Sequence, residues 1–272
     1  MSLRNWNLPE GVDPGTWDYV NSRSIADQYE TYFQDHPLFA VDQSLVEASL
    51  GPPQKKTWVA DFGCGNGRAL LPLVAKGFHG LGIDLSLAML QQVKRAALQR
   101  DLLVDCVHAN LVEMDGIADN SVDHGICLFS TLGMIKGRAN RQRALGQFSR
   151  VIKPGGILVL HVHNYWYNLL DPGGPWWLVR NRIRSWWDRA VERGDKHYPY
   201  RGLTNMFLHV FTRSEIRSDL ATAGWQVTRW VPLEPKTLQP WERPGMMGAV
   251  RTVGWVIVCR NGTAAEDQSG IG

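Results

Sequence analysis

Hydrophobic and polar residues follow two different periods along residues 57–162. Short apolar runs rich in Val, Ile and Leu are typical of buried strands, whereas apolar residues that recur every three or four positions, as at Leu87, Leu90 and Val93, are typical of helices. Strands that are separated by helices in this way pair in parallel. We therefore predict strands at 57–62, 80–84, 104–109, 122–129 and 156–162, and helices at 68–76, 87–101 and 139–152.

The segments on either side of this core follow other patterns. Residues 1–50 predict two short helical stretches that could cover an open pocket. The apolar face of these helices would be formed by Ile25, Tyr29 and either Tyr32 or Phe33. Residues 164–204 interrupt the alternation with a Trp- and Arg-rich stretch, which we interpret as an insertion with its own helix.

The alternation of strands and helices resumes after the insertion. A helix is predicted from about Ser214, because Thr212 and Glu215 have the spacing of a capping box. Strands are predicted at 205–211, 226–231 and 254–260, and the small, polar residues 261–272 predict a disordered tail. We expect a single domain over residues 1–272, with its core at 55–162.

The composition of the 272 residues is that of a globular protein, with 44% hydrophobic and 20% charged residues. No apolar run approaches the ~18 residues that a membrane span needs. The formal net charge of +3 is too small to demand a nucleic-acid partner. The first residues lack the apolar stretch of a secretory signal, so we expect a cytoplasmic location.

The four cysteines, Cys64, Cys106, Cys127 and Cys259, are widely spaced and form no C-x-x-C pair. This spacing favours free, buried thiols over a disulfide or a metal site.

A glycine-rich turn follows the first predicted strand and opens a helix. Gly63, Gly65 and Gly67 allow the backbone to approach a ligand closely, and Asp61 precedes them by two residues. Asp84 ends the second predicted strand, where a carboxylate can accept hydrogen bonds from both hydroxyls of a ribose. A G-x-G run alone is weak evidence, but an acid at each of these strand ends strengthens it.

With two later motifs, at 120–132 and 150–159, this order of residues resembles the class I S-adenosylmethionine-dependent methyltransferases, in particular the methyltransferase 11 and 25 families. The resemblance covers about residues 55–162. It implies an α/β, Rossmann-like fold with a mostly parallel seven-stranded sheet and helices on both faces. It also implies S-adenosylmethionine as cofactor and S-adenosylhomocysteine as product.

The resemblance further implies a set of cofactor-binding residues. The methionine part would lie on Asp61, Gly63, Cys64, Gly65 and Gly67, the ribose on Asp84, and the adenine beside Leu85, Met89, Asn110 and Leu111. Asn110 stands where the family usually places an acid; an amide keeps the carbonyl acceptor without the charge. Phe129 and Thr131, after the fourth strand, would border the cofactor and the acceptor, and Tyr19 and Tyr29 would close over the cofactor.

Two residues after the fifth predicted strand are candidates for the catalytic and acceptor site. His163 and Tyr165 lie at the carboxyl end of that strand, where ligands bind in open α/β sheets. His161, nearer the body of the strand, and His209, flanked by apolar residues, are expected to be structural.

The acceptor stays open between several classes. The segment after the fourth strand reads Phe129-Ser-Thr-Leu instead of the [N/D]-P-P-[Y/F] motif of amino-methyltransferases of nucleic acids, which favours a small molecule. The insertion would then be a lid, although the local balance of +4 over 180–201 also permits RNA, and an amphipathic stretch permits a membrane surface. A non-catalytic cofactor-binding module is the third class, and the oligomeric state is not determined by the sequence.

Overall fold

Parallel strands at the centre of the molecule place the ends of the motif-bearing segments side by side. The computed structural model describes residues 8–33 and 36–262, except for the side chains of Glu30 and Phe33. Within that part of the chain the strands are β1 (Trp58–Phe62), β2 (His79–Asp84), β3 (Val104–His108), β4 (Val122–Cys127), β5 (Ile152–His163), β6 (Asp195–Tyr200), β7 (Leu203–His209), β8 (Trp225–Pro232) and β9 (Gly254–Asn261).

Seven of these strands form one sheet in the order β3-β2-β1-β4-β5-β9-β8. Strands β1 to β5 pair in parallel, and β9 runs antiparallel between β5 and β8. The predicted mostly parallel, seven-stranded sheet is therefore confirmed. The strand predicted at 205–211 lies outside it, since β7 pairs with β6 in a separate antiparallel hairpin. The strand β6 was not predicted, because its polar sequence contains Pro199, which the rules for strands disfavour.

Helices cover both faces of the sheet, as predicted. The described helices are α1 (Pro14–Asn21), α2 (Arg23–Asp27), α3 (Tyr29–Phe33), α4 (Pro37–Leu50), α5 (Leu70–Ala75), α6 (Leu87–Gln99), α7 (Arg138–Val151), α8 (Gly174–Trp187), α9 (Arg213–Thr222) and α10 (Gly248–Arg251). Short 3₁₀ helices span Thr131–Met134 and Tyr165–Leu170. None of the helices in the described part of the chain is long and apolar enough to cross a membrane.

The N-terminal region differs from the sequence prediction. Its described residues form four helices instead of two, because Ser22 caps α2 immediately after α1 and Pro37 starts a new helix at α4. Ile25 and Tyr29 are buried as expected, whereas Tyr32 is exposed. Most of the predicted disordered tail, residues 263–272, lies outside the described residues, but Asn261 ends β9.

The capping box is present at the start of α9. The Thr212 hydroxyl accepts a hydrogen bond from the Glu215 backbone N–H at 3.2 Å, and a Glu215 carboxylate oxygen accepts from the Thr212 N–H at 3.5 Å. The four cysteines are free thiols, three of them buried and Cys106 half-buried.

The hydrophobic core lies on both sides of the central strands. On one face, the ring of Phe62 stacks on that of Phe148 of α7, with centroids 4.0 Å apart. On the other face, Val59 and Val159 pack with apolar residues of α4 and α5, such as Leu73. These two layers hold the parallel strands rigidly, and their carboxyl ends form one edge of the molecule.

A buried charged cluster joins α7 to the β6–β7 hairpin and to α9. His209 lies between Asp195 at 2.9 Å and Glu215 at 2.9 Å, so it is a satisfied histidine as predicted. The fully buried guanidinium of Arg141 contacts the carboxylates of Glu192 at 2.7 Å and Glu215 at 3.4 Å. Removing one charge from such a cluster leaves its partners buried and uncompensated.

We therefore expect Arg141→Met to lower the free energy of unfolding by about 3–5 kcal/mol, which urea denaturation at neutral pH would measure. Arg143→Met is the matched control, because Arg143 is half exposed and its ion pair with Glu10 lies at the surface. An exposed ion pair contributes only about 0–1 kcal/mol to the free energy of unfolding. Equal losses in the two variants would contradict the assigned role of the cluster.

Candidate active site

A cavity opens at the carboxyl ends of β1, β2 and β4, between the sheet and the N-terminal helices. Its empty volume is about 1060 Å³, open mouth included, which suits a ligand with several functional groups. The sequence-predicted residues that line it are Tyr19, Tyr29, Asp61, Gly63, Cys64, Gly65, Asp84, Leu85, Met89, Asn110, Leu111, Phe129 and Thr131. Gly67, His163 and Tyr165 are not among its lining residues.

The glycine turn is fixed against the end of β2. The backbone N–H groups of Gly63 and Cys64 both donate to the carbonyl of Ile83, at 2.8 and 3.0 Å. Gly65 has a φ of +52°, a left-handed conformation that side chains disfavour. A Cβ at Gly65 would have no atom within 4 Å. The glycine is therefore required by the conformation of the turn and not by close packing, and the space next to it is open.

Gly67 contributes to packing and does not line the cavity. A Cβ at this position would approach side-chain carbons of Leu71 and Val93 to 3.1 Å, beneath the turn. The sequence pattern placed it with the ligand-facing glycines because it shares their spacing. The structure instead uses it to let α5 and α6 approach the loop.

Asp84 anchors the turn through its carboxylate. One oxygen accepts from the Gly65 N–H at 2.8 Å, and the other accepts from the Ser86 N–H at 2.7 Å. Burial raises the pKa of Asp84, and these two hydrogen bonds act in the opposite direction. Carboxylate lone pairs remain for a ligand, since each oxygen can accept more than one hydrogen bond.

Asp61 is a more strongly perturbed carboxyl group. Its residue is 3% exposed and lies at the cavity wall. Burial raises the pKa of Asp61 to about 7, Arg68 lowers it, and the nearby Asp84 raises it further. A cationic group in the cavity would favour the ionised form of both carboxyls.

Two buried polar atoms at the cavity wall have no hydrogen-bond partner among the described residues. They are the hydroxyl oxygen of Thr16 and the side-chain carbonyl oxygen of Asn66. Buried polar atoms of folded proteins are normally satisfied. A ligand with hydrogen-bonding groups would fit this wall, and neither residue was singled out in the sequence.

The far end of the cavity is apolar, with one amide. Leu85, Met89 and Leu111 line it beside Asn110. The Asn110 side chain accepts from the Val112 N–H at 3.2 Å and donates to the carbonyl of Glu10 at 2.9 Å. Its carbonyl oxygen keeps a second lone pair for a ligand donor.

The cover of the cavity is the segment from Gly11 to Tyr29. Asp13 caps α1 by accepting from the Gly15 N–H at 3.0 Å, and its carboxylate lies 2.9 Å from the ammonium of Lys136. Hydrogen bonds from His197 and Lys136 outweigh burial and lower the pKa of Asp13 to about 2. The cover is thus held by an ion pair to Lys136, in the segment before α7, and by a contact with His197 of the β6–β7 hairpin.

Tyr19 and Tyr29 were expected in this cover from the sequence, whereas Gly11, Val12 and Thr16 were not. Val12 forms an isolated β-bridge with Ile135, a pairing between distant segments that no local pattern reveals.

The turn after β4 forms the other wall. Phe129 and Ser130 have positive φ values of 53° and 61°, an uncommon pair of left-handed residues of the kind found at functional sites. The ring of Phe129 packs edge-on against Phe39 at 5.3 Å. The guanidinium of Arg68 lies 3.6 Å from the centroid of Phe39 and 3.8 Å from a carboxylate oxygen of Asp42.

Arg68 had no predicted role in the site. In the structure it supplies a positive charge to the cavity wall, between the two acids and the aromatic turn. The position of Arg68 directly after the glycine turn is the feature of the sequence that could have indicated this role.

The structure separates His163 and Tyr165 from the cavity. Tyr165 is buried against Trp177, with ring centroids 5.9 Å apart, because the chain turns into a 3₁₀ helix after β5. Burial and the neighbouring His161 lower the pKa of His163 to about 3. A group with this pKa is a weak base that gains little by taking a proton at neutral pH, so the ring is poorly suited to act as a general base.

His161 is fully buried, as expected for a structural residue. Its Nδ1 atom lies 3.2 Å from the buried carboxylate of Asp42, which joins β5 to α4.

The predicted lid is also corrected. No residue of α8 lines the cavity in the described part of the chain. The helix α8 packs instead on the 3₁₀ helix Tyr165–Leu170, through Leu178 and the ring of Trp177.

Residues 60–160 match the family model described as a methyltransferase domain. The chain is 36% identical over 121 residues to the putative methyltransferase YqeM of Bacillus subtilis strain 168, a match that covers 44% of this chain and 46% of the relative. It is 28% identical over 107 residues to a glycine/sarcosine N-methyltransferase of Aphanothece halophytica, covering 39% and 40%. The chain therefore spans less than half the length of these curated relatives.

A similar fold is found in the 1,6-didemethyltoxoflavin-N1-methyltransferase of Burkholderia thailandensis, solved with bound 1,6-didemethyltoxoflavin and S-adenosylhomocysteine. The TM-score is 0.61 and the sequence identity 15%, over 94% of this chain and 93% of that chain. At this identity the likeness shows that the two proteins share a fold.

The raised pKa of Asp61 gives a test in the ligand-free protein. The folded state keeps a proton between pH 3.8 and about 7 that the unfolded state releases, so stability falls as pH rises through this window. At pH 8 the buried charge costs on the order of 2–4 kcal/mol. We expect Asp61→Asn to lose this pH dependence, so that its free energy of unfolding exceeds that of the wild type at pH 8.

Urea denaturation at pH 4.5 and pH 8 would measure the effect. Asp105→Asn is the control, since Asp105 is exposed on β3. If wild type and Asp61→Asn show the same change in stability between the two pH values, the assigned burial of an ionisable group at Asp61 is wrong.

Proposed function

We propose that this chain, a class I S-adenosylmethionine-dependent methyltransferase by its fold and its methyltransferase domain, transfers a methyl group to an oxygen, nitrogen or carbon atom of a small molecule. The observation that carries the proposal is the covered cavity. Tyr19 and Tyr29 lie over the same space that Asp61 and Asp84 line from below, so an acceptor must fit beneath the N-terminal helices.

The cavity fits S-adenosylmethionine. Asp84 would accept hydrogen bonds from the ribose, and Leu85, Met89, Asn110 and Leu111 would hold the adenine. Asp61 and the glycine turn would hold the methionine part. Two acids against one arginine at the wall suit a ligand that carries an ammonium and a sulfonium group.

When bound, S-adenosylmethionine supplies an electrophilic methyl group, so the protein's main task is to position the acceptor. The strained turn at Phe129 and the guanidinium of Arg68 provide a rigid wall for this purpose. Tyr29 and Thr131 complete the lining on either side. The cover would limit the access of water to the reacting atoms, which would strengthen the electrostatic contacts inside.

The proton that some acceptors release has no assigned base in this proposal. His163, the candidate from the sequence, lies outside the cavity lining, and its pKa of about 3 is too low. An acceptor that is already a neutral amine or an anion at neutral pH needs no base for its attack.

The names of two similar proteins support a small acceptor. One acts on glycine or sarcosine and the other on 1,6-didemethyltoxoflavin. The tRNA alternative receives no such support, and the basic helix α8 lies away from the cavity. The methyl-transfer assay also tests whether the chain is instead a non-catalytic cofactor-binding module.

We expect Asp84→Ala to weaken the binding of S-adenosylhomocysteine by about 100-fold, because the ribose loses its charged acceptor and the Gly65 N–H loses its partner. Isothermal titration calorimetry would measure the affinity. The control is Asp105→Asn, which should bind like the wild type. Unchanged affinity in a folded Asp84→Ala protein would overturn the assignment of this residue.

The acceptor class is tested with methyl-labelled S-adenosylmethionine and a cell extract, whose products are divided into small-molecule, RNA and protein fractions. We expect label in the small-molecule fraction, at a rate that depends weakly on ionic strength. Asp84→Ala is the blank.

Label in RNA that vanishes with nuclease, together with a steep loss in salt, would contradict the proposal. Binding of the cofactor without any label in the three fractions would favour the non-catalytic module.

A further inference from the structure

The solvent-facing side of α8 is apolar, the reverse of an ordinary surface helix. The buried side of the helix carries Leu178 and Asn181, and Asn181 accepts from the Gly194 N–H at 2.8 Å. The large apolar side chains of α8 point the other way, with exposed fractions from 48% to 84%. They are Trp176, Val179, Ile183, Trp186 and Trp187, and we call them the apolar stripe.

At 100° per residue, the apolar stripe occupies an arc of about 100° opposite the buried side. The proposed methyl transfer does not explain it, since α8 lines no part of the cavity among the described residues. A contiguous exposed apolar surface of this kind marks an interaction site.

Arginines border the apolar stripe on both edges. On the same helical projection, Arg180 and Arg184 lie along one edge and Arg182 lies along the other, all of them exposed. The one acid at this end of the helix, Asp188, is 3.8 Å from Arg184. The stripe is therefore flanked by positive charge that is largely uncompensated locally.

We propose that α8 docks this protein on an anionic membrane surface. The helix would lie in the plane of the interface, with the apolar stripe in the boundary between headgroups and acyl chains and the arginines on lipid phosphates. Tryptophan prefers this depth because its ring is apolar and its N–H is polar. The 14 residues of α8 give a contact about 21 Å long.

Two other partners fit the same surface less well. RNA would use exposed rings interleaved with cations, but the centre of the stripe holds the aliphatic Val179 and Ile183, which do not stack on bases. A second copy of the chain would bring the Arg180 and Arg182 edges of two helices together, and like charges repel. An anionic lipid surface matches both the aliphatic centre and the cationic edges.

The test is cosedimentation of the full chain with vesicles of phosphatidylcholine alone or mixed equally with phosphatidylglycerol. We expect binding to the mixed vesicles, at least tenfold weaker binding to the neutral ones, and weaker binding at high salt. The double variant Trp186→Ser, Trp187→Ser should bind the mixed vesicles at least about tenfold more weakly. Its control is Leu98→Ser, Leu103→Ser, which removes two exposed apolar side chains elsewhere.

The arginines have a matched control as well. Replacing Arg180, Arg182 and Arg184 by Gln should weaken binding by about 100-fold, since each basic residue near an anionic surface contributes about fivefold. The control replaces Lys94 and Arg95 of α6 and the following Arg100 by Gln, which removes the same charge from another exposed surface. This control should change vesicle binding by less than about threefold.

Circular dichroism and affinity for S-adenosylhomocysteine confirm that each variant is folded. The proposal is overturned if the wild type binds neither kind of vesicle, or binds both equally well. Two further results would overturn it if vesicles stay unbound. One is a dimer in sedimentation equilibrium that the double variant of Trp186 and Trp187 abolishes, and the other is binding of a single-stranded RNA oligonucleotide that the same variant abolishes.

Discussion

Two carboxyl groups at adjacent strand ends, the buried one of Asp61 and the half-buried one of Asp84, impose the constraint on which this site depends. Asp61 and Asp84 are brought together because β1 and β2 are parallel neighbours, and neither can be moved into solvent without breaking the sheet. Desolvation raises the pKa values of both groups, and repulsion from Asp84 raises that of Asp61 further. The Gly65 N–H of the glycine turn offsets part of this cost at Asp84, and a cationic ligand would offset more.

The cover over these acids is held by contacts far from them. Gly15 of α1 lies so close to the backbone of Asn205 in β7 that a Cβ would clash with its carbonyl oxygen. The β6–β7 hairpin is in turn joined to α7 by the buried contacts of Asp195, His209 and Arg141. The N-terminal helices therefore rest on a hairpin that a charged cluster fixes to the sheet. This connection couples the stability of the fold to the shape of the cavity.

Local patterns predicted the parallel strands and the glycine turn with Asp61 and Asp84 at the strand ends, because these positions follow from the βα alternation. The family resemblance added the seven-stranded sheet and the apolar residues of the cavity. Contacts between distant segments were not predictable, such as the bridge of Val12 with Ile135 and the pairing of Asp13 with Lys136. The strand β6 was hidden by its polar sequence. The lid interpretation of α8 was wrong, because composition shows Trp and Arg together but not which way each side chain points.

We infer that a cationic group of the bound ligand ionises the carboxyl of Asp61. Calorimetric titration of S-adenosylhomocysteine at pH 6 and pH 8, in two buffers with different ionisation enthalpies, would measure the protons released on binding. With a pKa of about 7 in the free protein, Asp61 should release close to one proton at pH 6 and much less at pH 8. The Asp61→Asn variant should release correspondingly fewer protons at pH 6. Binding at pH 6 without proton release, or with the same release in the variant, would contradict this account.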